Sequence, residues 1–202
     1  MNSLINKGVE GHKIAMIQKV VDSFPITRED EVLRFEYNTG NTCTIIPKYA
    51  DYVATVYMDI MGFRKVAHQI ENGVIQKFKH LVQPIHINYD LMTIVWEKVI
   101  PMKSSETIYI DQQKEMFSQI SKTIEDLPFS HGQPTLDNIG FSPKRDCYVL
   151  YDFNKMNPSR NLLKDMMEFS GSFNNNGLKI IEYGETTVVN TNVQKVDTYC
   201  GV

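Results

Sequence analysis

An α+β fold in two unequal lobes is what this sequence predicts, and three observations predict it. The first half is dominated by short strand-like runs with one long amphipathic stretch among them. The best helix pattern in the chain then follows at Asp111 to Leu127. After that helix come a loop and a strand–turn–strand unit.

The elements follow in order. Ile14, Ile17, Val20, Val21 and Phe24 recur at helical spacing, and Pro25 ends that helix. Val32 to Tyr37 alternates like a strand. Asn38-Thr39-Gly40-Asn41 is a turn signal, and Thr42 to Ile46 returns. Tyr52 to Met58, rich in β-branched and aromatic residues, predicts a third strand. Over Gly62 to Leu81 the period changes: Phe63, Val66, Ile70, Val74, Phe78 and Leu81 predict one helix that runs through Gly73. Pro84 to Asn88 and Met92 to Met102 read as strands, with Pro101 limiting the pairing of the second. Asp111 is placed to cap the next helix, whose stripe is Met116, Ile120, Ile124 and Leu127. Strands are expected at Ile139 to Phe141 and Tyr148 to Tyr151, a helix at Leu162 to Phe169, and tail strands at Leu178 to Tyr183 and Thr186 to Val193. The expected division is a small lobe over residues 1–100 and a second lobe over 101–202.

Composition narrows the function classes. Of 202 residues, 42% are hydrophobic and 22% charged, ordinary globular usage. The formal net charge is −3, so no basic excess points to nucleic acid or an anionic membrane. Cys43, Cys147 and Cys200 lie far apart, without the spacing of a zinc site. The first residues lack the apolar core of a signal peptide, and no apolar run approaches the ~20 residues that span a bilayer. A soluble, cytoplasmic protein is the expectation.

The segment that carries chemistry is His131-Gly132-Gln133-Pro134-Thr135-Leu136-Asp137-Asn138, followed by Tyr151-Asp152-Phe153-Asn154. It resembles the catalytic loop of protein kinases and aminoglycoside-type phosphotransferases, His-[Arg/Gly]-Asp-x-x-x-x-Asn, followed by Asp-Phe-Gly. The resemblance implies a protein-kinase-like two-lobe fold with a truncated C-terminal lobe. It implies Mg-ATP as cofactor, with Asn138 and Asp152 as metal ligands and His131 bracing the loop. Oxygen donors of this kind suit a hard cation that keeps part of its water. Val95-Trp96-Glu97-Lys98-Val99 looks like the segment joining the lobes, whose backbone at Glu97 and Val99 would meet adenine. Glu71 resembles the glutamate of the small lobe's helix, and reads equally well as a polar residue on a solvated face.

The pattern also breaks. The family's catalytic base falls on Gln133, whose amide can orient a hydroxyl but cannot take its proton. The strand lysine of a Val-Ala-x-Lys setting falls on Val56. The first turn has one glycine, Gly40, and Asn154 replaces the last glycine of Asp-Phe-Gly. These departures imply a pseudokinase that binds or regulates another protein. The alternatives are an active atypical Ser/Thr kinase or small-molecule phosphotransferase, and a structural or assembly protein without nucleotide. The Asn-rich Phe173 to Gly177 and the tail after it are a candidate docking surface.

Overall fold

The computed structural model describes residues 4, 8–23, 31–38, 41–102, 107–175, 179–182 and 185–187. Helix α1 (Gly11–Ser23) leads into strands β1 (Leu33–Asn38), β2 (Thr42–Pro47) and β3 (Tyr52–Tyr57). Helix α2 (Ile60–Glu71) and a 3₁₀ turn (Ile75–Lys77) then precede β4 (Pro84–Asn88) and β5 (Thr93–Glu97). These five strands form one antiparallel sheet in the order β1-β2-β3-β5-β4. Strand β6 (Ile100–Pro101), strand β7 (Thr107–Tyr109) and helix α3 (Ile110–Asp126) open the second lobe. A 3₁₀ turn (Leu136–Asn138), the hairpin β8 (Ile139–Ser142) and β9 (Cys147–Leu150), and a 3₁₀ turn (Phe153–Lys155) follow. Helix α4 (Leu162–Asn175), β10 (Lys179–Glu182) and β11 (Glu185–Thr187) complete it. Strands β10 and β11 fall on the expected tail strands where these are described; Leu178, Tyr183 and residues 188–202 lie outside the described residues, as do Phe24, Pro25, Thr39, Gly40, Asn176 and Gly177.

Three expectations are corrected. The helix expected over Gly62 to Leu81 starts earlier and stops at Glu71. Asp59 caps it, accepting the Met61 and Gly62 amides at 3.2 and 2.7 Å. Gly73, at φ +65°, turns the chain out of the helix, and the apolar period continues through a 3₁₀ turn instead. The strand expected over Met92 to Met102 is split. Beyond Glu97 the chain leaves the small sheet, and Ile100–Pro101 pairs with Phe141 and Gly140 of β8. Asp111 lies inside the first turn of α3, where it favours the helix dipole rather than capping the end.

Two apolar clusters hold the chain. One covers the outer face of the sheet, where Ile17 and Val20 of α1 meet Cys43, Ile45, Ala54 and Val56. The other is continuous across both lobes. It runs from Tyr57, Phe63 and Trp96 through Ile120 and Ile124 to Phe153 and Phe169. Helices α3 and α4 meet through Phe117, Phe169 and Phe173, with ring centroids 4.9 to 5.3 Å apart. Phe169 is fully buried, and its truncation to Ala would cost about 3–5 kcal/mol.

The joint between the lobes is fastened from both sides. Lys98 Nζ donates to the carbonyls of Pro47, Lys48 and Ala50, tying the β2–β3 turn to the linker. Behind it, the buried Glu97 carboxylate accepts Gln83 N at 2.8 Å, Ser142 Oγ at 3.0 Å and Arg145 Nε at 3.1 Å. Arg145 also donates to the Lys79 and Leu81 carbonyls. No helix among the described residues is long and apolar enough to cross a membrane.

Candidate functional site

The candidate site begins where α3 ends. The loop after it is tied to the chain ahead of α4 by paired backbone bonds of 2.9 Å between Ser130 and Asn157. A buried acid on α4 then fixes its course. Asp165 accepts Ser130 Oγ and the His131 amide, both at 2.8 Å, and the Gly132 amide at 3.2 Å. Gly132 stands at φ +85°, and a Cβ there would run into the Lys155 carbonyl. Only glycine lets the loop and the 3₁₀ turn at Phe153–Lys155 approach this closely.

His131 braces the same junction from inside. Its Nε2 lies 3.1 Å from the Tyr151 carbonyl, which can only accept, so Nε2 carries the proton. Nδ1 is buried without a hydrogen-bond partner. The ring packs 5.3 Å from Phe153, which in turn lies 5.5 Å from Trp96 of β5. Burial lowers the imidazole pKa to about 4 against the opposing pull of Asp165, so the ring is neutral near pH 7.

Gln133 and Asn138 form the next layer. The Gln133 carbonyl accepts the Thr135 amide at 2.9 Å and the Asn138 Nδ2 at 2.8 Å. With Nδ2 committed to a carbonyl, Oδ1 is the Asn138 atom left for a ligand. The Asn138 carbonyl accepts the Tyr151 amide at 2.8 Å, one step beyond the Ile139–Leu150 pair of the hairpin. Asn138 and Asp152 therefore flank the open end of one hairpin, Asn138 just before β8 and Asp152 two residues after β9.

Asp152 adopts φ +66°, ψ 79°, which is uncommon for a residue with a side chain. Its carboxylate accepts the Asn154 amide at 3.3 Å. Burial pushes its pKa up. The Asn154 amide and Lys155 oppose that shift, and Glu36 of β1 adds to it. Tyr57 and Tyr151 are shifted up as well, first by burial and then by the Asp152 charge. Asn154 Oδ1 is buried without a hydrogen-bond partner. The carboxylate is thus held in a pocket that compensates its charge poorly. Among the described residues, no three His, Cys, Asp or Glu side chains converge as a metal cluster. A cation here would take Asn138 Oδ1 and Asp152, and complete its shell with water and phosphate oxygens. That ligand set fits Mg²⁺.

The other expected positions are not drawn together. Glu71 is the last residue of α2, exposed, and accepts a hydrogen bond from the Tyr89 hydroxyl. The Glu97 carboxylate belongs to the Arg145 clamp, and its amide donates to the Gln83 carbonyl at 3.0 Å. Val99 follows, with its side chain against Gly140. Val56 is fully buried in the outer cluster, pointing away from the cleft. Strand alternation instead turns Val53, Thr55 and Tyr57 to the cleft face. The expectation that Val56 occupies the clamping position is corrected accordingly.

Sequence reasoning missed Asp165, Tyr57 and Glu36, and read Asn154 only as a replacement for glycine. For Asp165 a signal existed: it lies among Leu162, Met166, Phe169 and Phe173, an acid on the apolar stripe of a helix. The other three become visible only once strand faces and the turn after β9 are known.

No protein-family model matches the chain, and no curated protein matches it. Among solved structures, the chain is similar to one described as "Structure of vaccinia related kinase 3". The TM-score is 0.45 at 9% identity, over 72% of this chain and 56% of that one, so the chain spans little more than half that protein's length. The five-stranded lobe with its single inserted helix, followed by α3, the braced loop, the β8–β9 hairpin and α4, makes this an α+β fold in two unequal lobes.

Proposed function

We propose that this chain is a degenerate kinase-like protein that acts by binding another protein and holds a Mg²⁺-nucleotide in its cleft without transferring phosphate. The observation that carries the reading is the hydrogen bond from Asn138 Nδ2 to the Gln133 carbonyl. That bond leaves Asn138 Oδ1 as the acceptor that, on this reading, serves with Asp152 as a ligand pair. The same loop offers only an amide side chain, Gln133, where a proton acceptor is needed.

Phosphoryl transfer depends on positioning and on neutralising phosphate charge. Bound Mg²⁺ would supply part of that neutralisation. The chain itself positions the ligands: Asp165 and Gly132 fix the loop, and His131 holds the Tyr151 carbonyl just before Asp152. Gln133 can orient an acceptor hydroxyl but takes no proton from it. No lysine of β3 reaches the cleft, since that strand contains none. Loss of a general base alone typically costs ~10²–10⁴ in rate.

Thermal unfolding with and without Mg-ATP, paired with a phosphate-transfer assay, tests this. A ligand that binds only the folded state raises its stability. The expected result is a metal-dependent shift without transfer. Absence of any shift would favour an assembly protein without nucleotide. Transfer at roughly 1–100 s⁻¹, ordinary for kinases, would overturn the reading.

A further inference from the structure

Helix α2 carries an exposed face at Ile60, Met61, Arg64, Lys65 and His68. Between that face, the β4–β5 turn and Pro158 lies a groove of about 640 Å³. Its floor is apolar: Phe63 and Tyr89 meet edge to face at 5.6 Å, with Met92 beside them. Ile60, Met61 and Tyr89 line it and are 48%, 58% and 52% exposed, three large apolar side chains left in water at one place. Such clustering marks interaction surfaces, whereas single exposed apolar residues do not.

The charge in the groove's lining leans basic, with two cations against one carboxylate. Arg64 and Lys65 stand in its lining, and neither forms an ion pair among the described residues. Glu71 is the one carboxylate in the lining, and it is engaged by the Tyr89 hydroxyl. A local basic rim is notable in a chain of net charge −3. We propose that this groove docks a short acidic segment of a partner protein, with an apolar anchor on the Phe63–Tyr89 floor and carboxylates facing Arg64 and Lys65. The site lies between α2, the β4–β5 turn and Pro158 and is concave, which suits a peptide segment better than the plane of a bilayer. Charge of this kind fixes orientation and partner choice, and the apolar anchor supplies most of the affinity. The proposal rests on the reading of the chain as a binding protein. It gives that partner a place between α2 and Pro158, in a lining that includes neither Asn138 nor Asp152.

The test is selection of a displayed library of random 12-residue peptides against the whole chain. Enriched peptides should carry acidic residues around an apolar pair. Their binding, followed by fluorescence anisotropy, should weaken at least tenfold in Arg64→Glu/Lys65→Glu and in Met61→Asp. The Mg-ATP thermal shift in the same variants reports folding and the nucleotide reading independently, and should be unchanged. The proposal is overturned if no peptide is enriched, if enriched peptides lack acids, or if both variants bind as tightly as the parent. Vesicles containing phosphatidylserine supply the remaining control. Sedimentation with them that is lost in the same variants would assign the face to a membrane instead.

Discussion

Val56 stands opposite Cys43 in the β2–β3 ladder, and both side chains are fully buried on the face of the sheet that α1 covers. A lysine placed there would meet the apolar cluster and no phosphate. Val56→Lys should therefore destabilise the chain by roughly 3 kcal/mol or more, since an unpaired buried ammonium has no compensating partner. Thr44→Lys is the contrast. Thr44 is half-buried on the other face and pairs with Glu36 across β1–β2. That substitution should stay within about 1 kcal/mol of the parent, because it creates an opposite-charge cross-strand pair. Denaturant midpoints compare the two. Equal losses would mean that the strand faces are assigned the wrong way round.

Asp165 gives a second prediction. Its carboxylate accepts from three donors of consecutive loop residues, Ser130, His131 and Gly132. Asp165→Ala should cost about 3–5 kcal/mol, because buried amides left unpaired are expensive. Ser130→Ala removes one hydroxyl donor and should cost only about 1 kcal/mol. Urea unfolding with an unchanged slope separates these losses from a change in compactness. If Asp165→Ala costs no more than Ser130→Ala, the loop is held by something else.

These residues show what the sequence made legible. Hydrophobic period located nearly every helix and strand, because burial of one face dictates the pattern. It failed at Gly73, where the apolar spacing continues but the backbone leaves the helix. It also failed at Glu97, where a strand-like run changes sheets. The loop itself stood out because His131, Asn138 and Asp152 stand at the spacing on which the resemblance rests. Which face Val56 takes was not. A shift of one residue along a strand reverses every side chain, and only the packing of α1 against Ala54 and Val56 fixes the choice. The Glu97–Arg145 clamp joins residues far apart in sequence and leaves no local mark.

His131 predicts a pH dependence. Its pKa in the fold is about 4, below the 6.5 of an ordinary imidazole. The unfolded chain therefore takes up the proton first as pH falls. The stability this residue contributes is fully present above about 6.5 and is lost progressively down to about 4, on the order of 3 kcal/mol in all. His131→Gln, which keeps a donor for the Tyr151 carbonyl, should flatten the stability profile across that window. Unfolding measured at intervals from pH 7 to 4 reads the difference between the two chains. Parallel profiles would show that the buried ring is not the group titrating.

Asp152 should behave in the opposite sense. Burial raises its pKa above the ordinary 3.8, so the fold holds the proton more tightly than the unfolded chain does. The ionised carboxylate is then a burden that sets in as pH rises through the ordinary value and is complete above the folded one. Asp152→Asn removes that burden, and the metal-free variant should be at least as stable as the parent at neutral pH. Mg²⁺ reverses the comparison. The cation needs the carboxylate, so the Mg-ATP shift of the parent should grow as pH climbs past the raised pKa, and the asparagine variant should show none at any pH. Proton and metal compete for one group, and this crossover is their signature. A second pair of variants guards against a trivial loss. Asn138→Ala should also abolish the shift, while Asp137→Asn, on an exposed neighbour in the same loop, should leave it intact. Thermal unfolding across pH, with EDTA as the metal-free reference, supplies every term. A Mg-ATP shift that survives in Asp152→Asn would place the metal elsewhere and remove the basis for reading this cleft as a nucleotide site.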